Sequence, residues 1–445
     1  MKTGFSKICI TPPDGTLMRG YYEKRESKGV LDDLYVSSVA FDDGERKALV
    51  ISVDVCVLSV EQSDKIREDI SKKTGIDKDA VFITCSHTHT GPAIDFDTSG
   101  EMTDGKYEKI FYELVIRSAE NSLANVCESK FFAGDGVAEG ISFIRRFRMK
   151  DGGVQTNPGV DNPNISHPLG TANDSVKFLK IEREGAENIV LVNFGTHADT
   201  VGGEYISGDW PSILCKTVEA VFDNTKCVFL TGAQGDVNHI NISPSDSDRI
   251  GLDYDSFDGV PRGYEHTKYM GRRIAAAIIG ALDKACPFSA DRISYSTKEI
   301  SIPSNREMHK LDEAKRIVNL HAQGRDNELP YEKMELTTIV AEAIRICELE
   351  KGPDAFDFTL GALKIGDYVI ASVPGECFVE IGRRIEANYD DKHIMVCGLT
   401  NGGDSYFPTS SAYDEGGYEA RSSCLKKGGD NILVEGMKEL ISKLN

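Results

Sequence analysis

Two histidines stand one residue apart in Ser86-His87-Thr88-His89-Thr90-Gly91-Pro92, directly behind the apolar, β-branched run Val81–Cys85. A third, His197, closes Asn193-Phe194-Gly195-Thr196-His197 at the end of a second such run, Asn188–Phe194. Only nine histidines occur in 445 residues, so three at the ends of strand-like runs is an uneven distribution. On an extended backbone both rings of a His-x-His point to one side. The pair then offers one metal two ligands, or one ligand and a general base. Neutral imidazole suits zinc, and three histidines, or two with a carboxylate, are common catalytic zinc sets. A His-x-His can equally be plain polar loop sequence, and the spacing alone leaves both readings open.

Two other strand-like runs end in residues fit for chemistry. Val228–Thr231 leads into Gly232-Ala233-Gln234-Gly235-Asp236-Val237-Asn238-His239, which reads either as a tight turn where backbone approaches a ligand or as a capped glycine turn. Tyr368–Val373 leads into Pro374-Gly375-Glu376, which sets a carboxylate behind the strand. Asp54, Asp209 and Asp236 lie near these ends and suit fixing a histidine tautomer or a turn better than binding metal. His239 is close enough to the glycine turn to meet a substrate. Trp210, the only tryptophan, suits either the core or a pocket wall.

These residues need a scaffold that brings strand ends together. Ala48–Val53, the charge-patterned helix Val60–Thr74 and Val81–Cys85 form a strand–helix–strand order, and the middle of the chain repeats it. Open α/β sheets bind ligands outside the carboxyl ends of their strands. The expected fold class is α/β, a mixed sheet with flanking helices. It forms one large catalytic domain over 1–445, with a helical insertion over 306–350. The Gly/Asn/Pro-rich stretch Asp151–Asp174 reads as a long loop.

The composition narrows the partners. Lys and Arg number 51 against 71 Asp and Glu, a net charge of −20, which argues against nucleic acid. No apolar run approaches the ~18–20 residues needed to cross a bilayer. The amino terminus lacks a signal-peptide pattern. Eleven cysteines without a Cys-x-x-Cys pair read as reduced thiols. The expectation is a cytoplasmic enzyme acting on a small molecule, with no stable membrane association and no oligomeric state set by the sequence.

Taken in order, Thr84-Cys85-Ser86-His87-Thr88-His89-Thr90-Gly91-Pro92, Asn193–His197, Ser207-Gly208-Asp209, Gln234–Asn238 and Pro374-Gly375-Glu376 resemble the catalytic domain of neutral, non-lysosomal ceramidases. Ile10-Thr11-Pro12-Pro13 with Gly20-Tyr21, and Tyr406-Phe407-Pro408-Thr409 with Tyr418-Glu419, extend the resemblance over about residues 4–425. The resemblance implies a zinc-dependent amidase with Zn2+ held by His87, His197, Glu376 and Tyr406. It also implies that His89 contacts substrate or shuttles a proton, and that Tyr418 polarises the scissile carbonyl. A substrate-facing arginine falls on Arg145 or Arg146, with Arg145 favoured.

Two departures bear on the substrate. The family's nucleophilic serine is replaced by Asn238, which leaves direct attack by zinc-bound water and gives the amide a substrate-orienting role. Few residues follow Tyr418, so the family's C-terminal β-rich domain is not expected. The implied reaction is cleavage of a linear N-acyl bond in a small or soluble substrate. A zinc esterase or deacetylase and a non-catalytic ligand-binding relative are the alternatives.

Overall fold

The computed structural model describes residues 1–94, 106–253, 256–387, 389, 393–403 and 405–444. In the strands Lys47–Val53 and Asn188–Phe194 every residue but the first is buried. A strand covered on both faces reads as an unbroken apolar run, which is why these two stand out in the sequence. The helix Val60–Thr74 opens on a capping box, Ser59 with Gln62, and closes on Gly75 at φ 73°.

One structural unit recurs three times. Three consecutive antiparallel strands are followed by a helix, a fourth strand parallel to the third, and a second helix. The first copy comprises strands Lys2–Cys9, Tyr35–Asp42 and Lys47–Val53, helix Val60–Thr74, strand Val81–Cys85 and helix Lys106–Ala124. The second comprises Cys127–Val137, Ser175–Arg183, Asn188–Phe194, Asp209–Val221, Thr225–Thr231 and Tyr264–Leu282. The third comprises Ile293–Pro303, Ala355–Ile365, Tyr368–Ser372, Val379–Glu386, His393–Cys397 and Gly429–Ser442. The helix between third and fourth strands is the crossover that a parallel pair needs, because a tight hairpin joins only antiparallel strands.

The first two copies join through antiparallel pairing of Lys2–Cys9 with Cys127–Val137, and with the short strand Cys286–Phe288, which also pairs with Cys127–Val137, they make a nine-stranded mixed sheet; the third copy forms a four-stranded sheet. The chain is therefore mixed α/β, with a large central sheet and flanking helices. The carboxyl ends of the three parallel pairs are tied together. Cys85 N donates to Leu399 O at 3.2 Å, Gly398 N to Thr231 O at 2.9 Å, and Thr231 Oγ1 to Cys85 O at 2.6 Å. Residues that follow these strands in three distant parts of the sequence are thereby gathered at one place.

The helical insertion is a hairpin, Leu311–Ala322 and Lys333–Glu348, set between the paired strands Ile293–Pro303 and Ala355–Ile365 and closed around Ile317, Leu320, Ile339 and Ile346. The stretch 151–174 is more ordered than its composition suggests. Val154–Thr156 and Ile165–Pro168 flank Arg146–Met149 in a three-stranded sheet, because the turn Asp151-Gly152-Gly153 folds the chain back on Met149. Among the described residues, no helix is long and apolar enough to cross a membrane.

Trp210 belongs to the core. It is fully buried, with ring centroids 4.8 Å from Phe229 and 6.0 Å from Phe194, and its Nε1 donates to His197 O at 2.9 Å. It thus supports the backbone that carries His197. Trp210→Ala is expected to destabilise the protein by about 3–5 kcal/mol, read as a fall in the chemical denaturation midpoint.

Candidate functional site

His87 follows the first copy's fourth strand, His197 the second copy's third strand, and Glu376 the third copy's third strand. All three are buried, and among the described residues each offers a ligand atom within 4.8 Å of the others. Glu376 Oε2 lies 3.3 Å from His87 Nε2 and 3.0 Å from His197 Nε2. The opposite ring nitrogens face carbonyl oxygens: His87 Nδ1 donates to Cys56 O at 2.9 Å, with Cys56 Sγ beside it at 3.8 Å, and His197 Nδ1 donates to Gln234 O and Val237 O, each at 3.0 Å. A carbonyl only accepts, so both Nδ1 atoms carry hydrogen and each ring turns its Nε2 to the shared carboxylate.

Charge follows from this packing. Burial alone would raise the Glu376 carboxyl, but the two imidazoles hold it well below the usual carboxylate range. Burial opposes a charge on His87 as well, and the Glu376 carboxylate overrides it, raising that imidazole well above its ordinary value. The centre therefore concentrates a carboxylate and two oriented imidazoles, a donor set that suits a dication. Cys56, His87 and His89 form another grouping of the same kind, but it shares His87 and competes with the first.

The geometry of the His-x-His differs from the extended form expected from the sequence. His87 sits at φ 66°, in the left-handed region that costs a non-glycine residue about 1–3 kcal/mol. Its own N–H to Val55 O at 3.1 Å helps hold it there. The rings still meet, because the turn rather than a pleat brings them together: His89 Nε2 is 3.2 Å from His87 Nε2. Burial and the neighbouring His87 keep His89 well below the ordinary imidazole pKa, hence neutral. Its Nδ1 has no hydrogen-bond partner among the described residues. Gly20, at φ +127°, lies so close that a Cβ there would come within 2.6 Å of His89 Cα and Cβ.

Tyr406 brings its hydroxyl within 3.4 Å of His197 Nε2, and Arg145 Nη2 donates to that hydroxyl at 3.1 Å. The structure separates the two adjacent arginines. Arg145 Nε binds Glu419 Oε1 at 2.7 Å and its Nη2 also reaches Gly235 O at 2.9 Å, whereas Arg146 turns to Glu415 and Gly416 O. Gly235 has no room for a side chain, since a Cβ would fall 2.5 Å from Glu376 O. Burial, and then Glu376, push the Tyr406 phenol well up, while Arg145 opposes them.

A cavity of about 430 Å³ opens onto this cluster, lined by His87, His89, Glu376, Tyr406 and Tyr418 among others. Tyr22 also lines it, with its hydroxyl 3.2 Å from that of Tyr418. Arg145 is not among the lining residues and meets the cluster through Tyr406. Asn238 is fully buried, its Nδ2 donating to Asn157 Oδ1 at 3.0 Å and its Oδ1 accepting from Ile240 N at 3.1 Å. It too lies outside the lining, because the short strand Val237–Asn238 pairs with Phe143–Ile144 and turns the amide into the fold. His239 is likewise turned away: it binds Pro261 O at 2.8 Å and faces a different, smaller cavity beside His266. The aspartates hold turns. Asp54 accepts from Tyr35 N, Asp236 from Val379 N, and Asp209 from Thr200 N and Val201 N.

Sequence reasoning assigned no role to Glu419, Tyr22 or Arg25. Glu419 adjoins Tyr418, but a lone glutamate reads as solvated until the two arginines are in place. Tyr22 and Arg25 follow Gly20-Tyr21, and only the fold brings them to the cavity. Arg25 Nη2 donates to His89 O at 2.8 Å and so ties the amino-terminal segment to the histidine turn.

No protein-family model and no curated protein sequence matches this chain. Solved structures do. The crystal structure of neutral ceramidase from Pseudomonas aeruginosa superposes with a TM-score of 0.71 at 14% identity, over 99% of this chain and 73% of that one. The chain has the neutral ceramidase fold. A ceramidase described as complexed with C2 superposes with a TM-score of 0.70 at 14% identity, over 99% of this chain and 74% of its own. At this identity the likeness is one of backbone architecture, and the neutral ceramidase-like fold is what the three-copy sheet arrangement amounts to.

Glu419 is wholly buried between two guanidiniums, with Oε1 on Arg145 and Oε2 receiving Thr156 Oγ1 at 2.9 Å. Glu419→Gln strips the negative charge from that pair and leaves buried cations uncompensated. It is expected to cost about 3–5 kcal/mol, measured as a lowered thermal or denaturant midpoint.

Proposed function

We propose that the protein is a zinc-dependent amidohydrolase that cleaves a linear N-acyl bond. The observation that carries this reading is the convergence of His87 Nε2 and His197 Nε2 on Glu376 Oε2, at 3.3 and 3.0 Å, in the wall of a cavity of about 430 Å³. A fold shared with ceramidases, enzymes named for cleaving an amide, supports it. The eleven cysteines, all free thiols, support a reducing compartment and hence action in the cytoplasm.

On this reading His87, His197 and Glu376 hold the zinc, with the Tyr406 phenol as the fourth donor. When bound, zinc supplies a Lewis acid for the carbonyl and lowers the pKa of water toward ~7, so that water serves as nucleophile without an acyl-enzyme. The carbonyls of Cys56, Gln234 and Val237 keep the two imidazoles in the tautomer that presents Nε2. Arg145 is a positioning residue that fixes the Tyr406 hydroxyl. Tyr418, on the cavity wall, donates its hydroxyl hydrogen to the carbonyl oxygen as negative charge grows there. His89, neutral and facing the cavity, carries the proton from the attacking water to the leaving amine. Asn238 shapes the turn beneath His197 and takes no part as nucleophile.

Elemental analysis is expected to find one zinc per chain, and chelation to abolish hydrolysis of small N-acyl amides until zinc is restored. His87→Ala and Glu376→Gln should lose both metal and activity. Arg145→Lys, which acts through Tyr406, should lower zinc affinity or rate by about 10–100-fold. Stoichiometric absence of zinc after reconstitution would overturn the assignment.

A further inference from the structure

The eleven cysteines are free thiols, and two of them, Cys56 and Cys424, line the cavity. Cys424 Sγ donates to Ser405 Oγ at 3.2 Å. Cys56 is placed differently. Its side chain is buried, with Sγ 3.8 Å from His87 Nδ1. The zinc reading gives work to its carbonyl oxygen and none to its sulfur.

His89 carries a second unused group. It is 9% exposed and lines the cavity, yet its Nδ1 has no hydrogen-bond partner among the described residues. Buried polar atoms are nearly always paired, so an orphan beside a cavity points to something that binds there. The other ring nitrogen, Nε2, lies 3.2 Å from His87 Nε2. Two nitrogens held at ~2.0–2.1 Å by one tetrahedral ion stand about 3.3 Å apart, so these rings already have the spacing of ligands. Cys56, His87 and His89 are all buried, and each offers a ligand atom within 4.8 Å of the others. Among the described residues, no other cysteine belongs to such a group.

The two groups that meet at His87 differ in softness. His197 and Glu376 complete a set of nitrogen and oxygen donors, which suits zinc. Cys56 and His89 complete a set of nitrogen and sulfur donors, which suits a thiophilic ion. The net charge of −20 favours the approach of any dication.

We infer that Cys56, His87 and His89 form a second metal position, which takes a soft ion such as Cd2+ and excludes zinc from the first. On binding, the Cys56 thiol gives its proton to solvent and its sulfur forms the bond to the metal; no electron is transferred. His87 serves one ion at a time, because its Nδ1 hydrogen is held by Cys56 O. A soft ion here removes a zinc ligand and, on the hydrolase reading, the proton carrier His89 as well. The inference goes beyond that reading and needs no turnover to be tested.

The test uses the whole protein, freed of metal with a chelator and given one equivalent of Cd2+. A sulfur-to-cadmium charge-transfer band should appear in the ultraviolet. Cys56→Ser and Cys56→Ala should each abolish it, with circular dichroism confirming that the variant is folded. His89→Gln should weaken cadmium binding by at least about 100-fold, the upper end of what loss of a supporting group costs. Glu376→Gln, which removes a ligand of the first position only, should keep the band. In the zinc-loaded protein the band should grow only as zinc is released, read with a zinc-sensitive dye. No band at one equivalent, a band that survives in folded Cys56→Ser, or a band that coexists with a full complement of zinc overturns the inference. A Cys56-dependent band in a protein that hydrolyses no amide overturns the hydrolase reading instead and leaves the second position standing.

Discussion

Three hydrogen bonds between Cys85, Thr231 and Gly398–Leu399 hold together the carboxyl ends of three parallel strand pairs, and the site exists because of them. Each pair belongs to a different copy of the same unit, and each delivers a ligand-type side chain just past its end. Two of the three ties join backbone amides to carbonyls and the third uses a threonine hydroxyl, so they are nearly indifferent to which side chains come next. That separation lets one geometry of strand ends coexist with a site assembled from His87, His197 and Glu376, residues nearly 300 positions apart at the extremes.

Around that junction buried guanidiniums are hydrogen-bonded on several sides. Arg145 joins Glu419 to the Tyr406 hydroxyl, and Arg25 caps the carbonyl of His89. An unpaired charge in such surroundings costs several kcal/mol, whereas a paired and hydrogen-bonded one can serve as a rigid strut. Rigidity matters here because two imidazoles must keep their Nε2 atoms on one carboxylate oxygen. His87 is kept in a left-handed conformation for the same purpose, its ring fixed by Cys56 O and its amide by Val55 O. Where the chain must pass closest, at Gly20 against His89 and Gly235 against Glu376, only hydrogen fits on the α-carbon.

Much of the framework was legible because both-face burial writes unbroken apolar runs. Lys47–Val53, Val81–Cys85 and Asn188–Phe194 announce themselves, and the polar residues behind them stand out by contrast. The threefold recurrence was not legible. The spans between first and second strands, and between fourth strand and final helix, differ from copy to copy, and surface insertions of this kind cost little loop-closure entropy. Nor could the sequence choose between Arg145 and Arg146, since Glu419 lies against both and only the location of the Tyr406 hydroxyl, on Arg145, decides which meets the site. Asn238 and His239 looked like cavity residues because they follow a glycine turn. The pairing of Val237–Asn238 with Phe143–Ile144 turns them elsewhere.

The amino-acid sequence by itself determined the α/β character, the strand ends that carry imidazole and carboxylate, and an acidic surface, because each is written in local composition and period. The tertiary structure alone decided that those ends converge, that the His87 turn is left-handed, and that Tyr22, Arg25 and Glu419 support the site. These are distances between residues far apart in the chain, and distance across a fold is set by strand pairing and close packing, which no local pattern encodes.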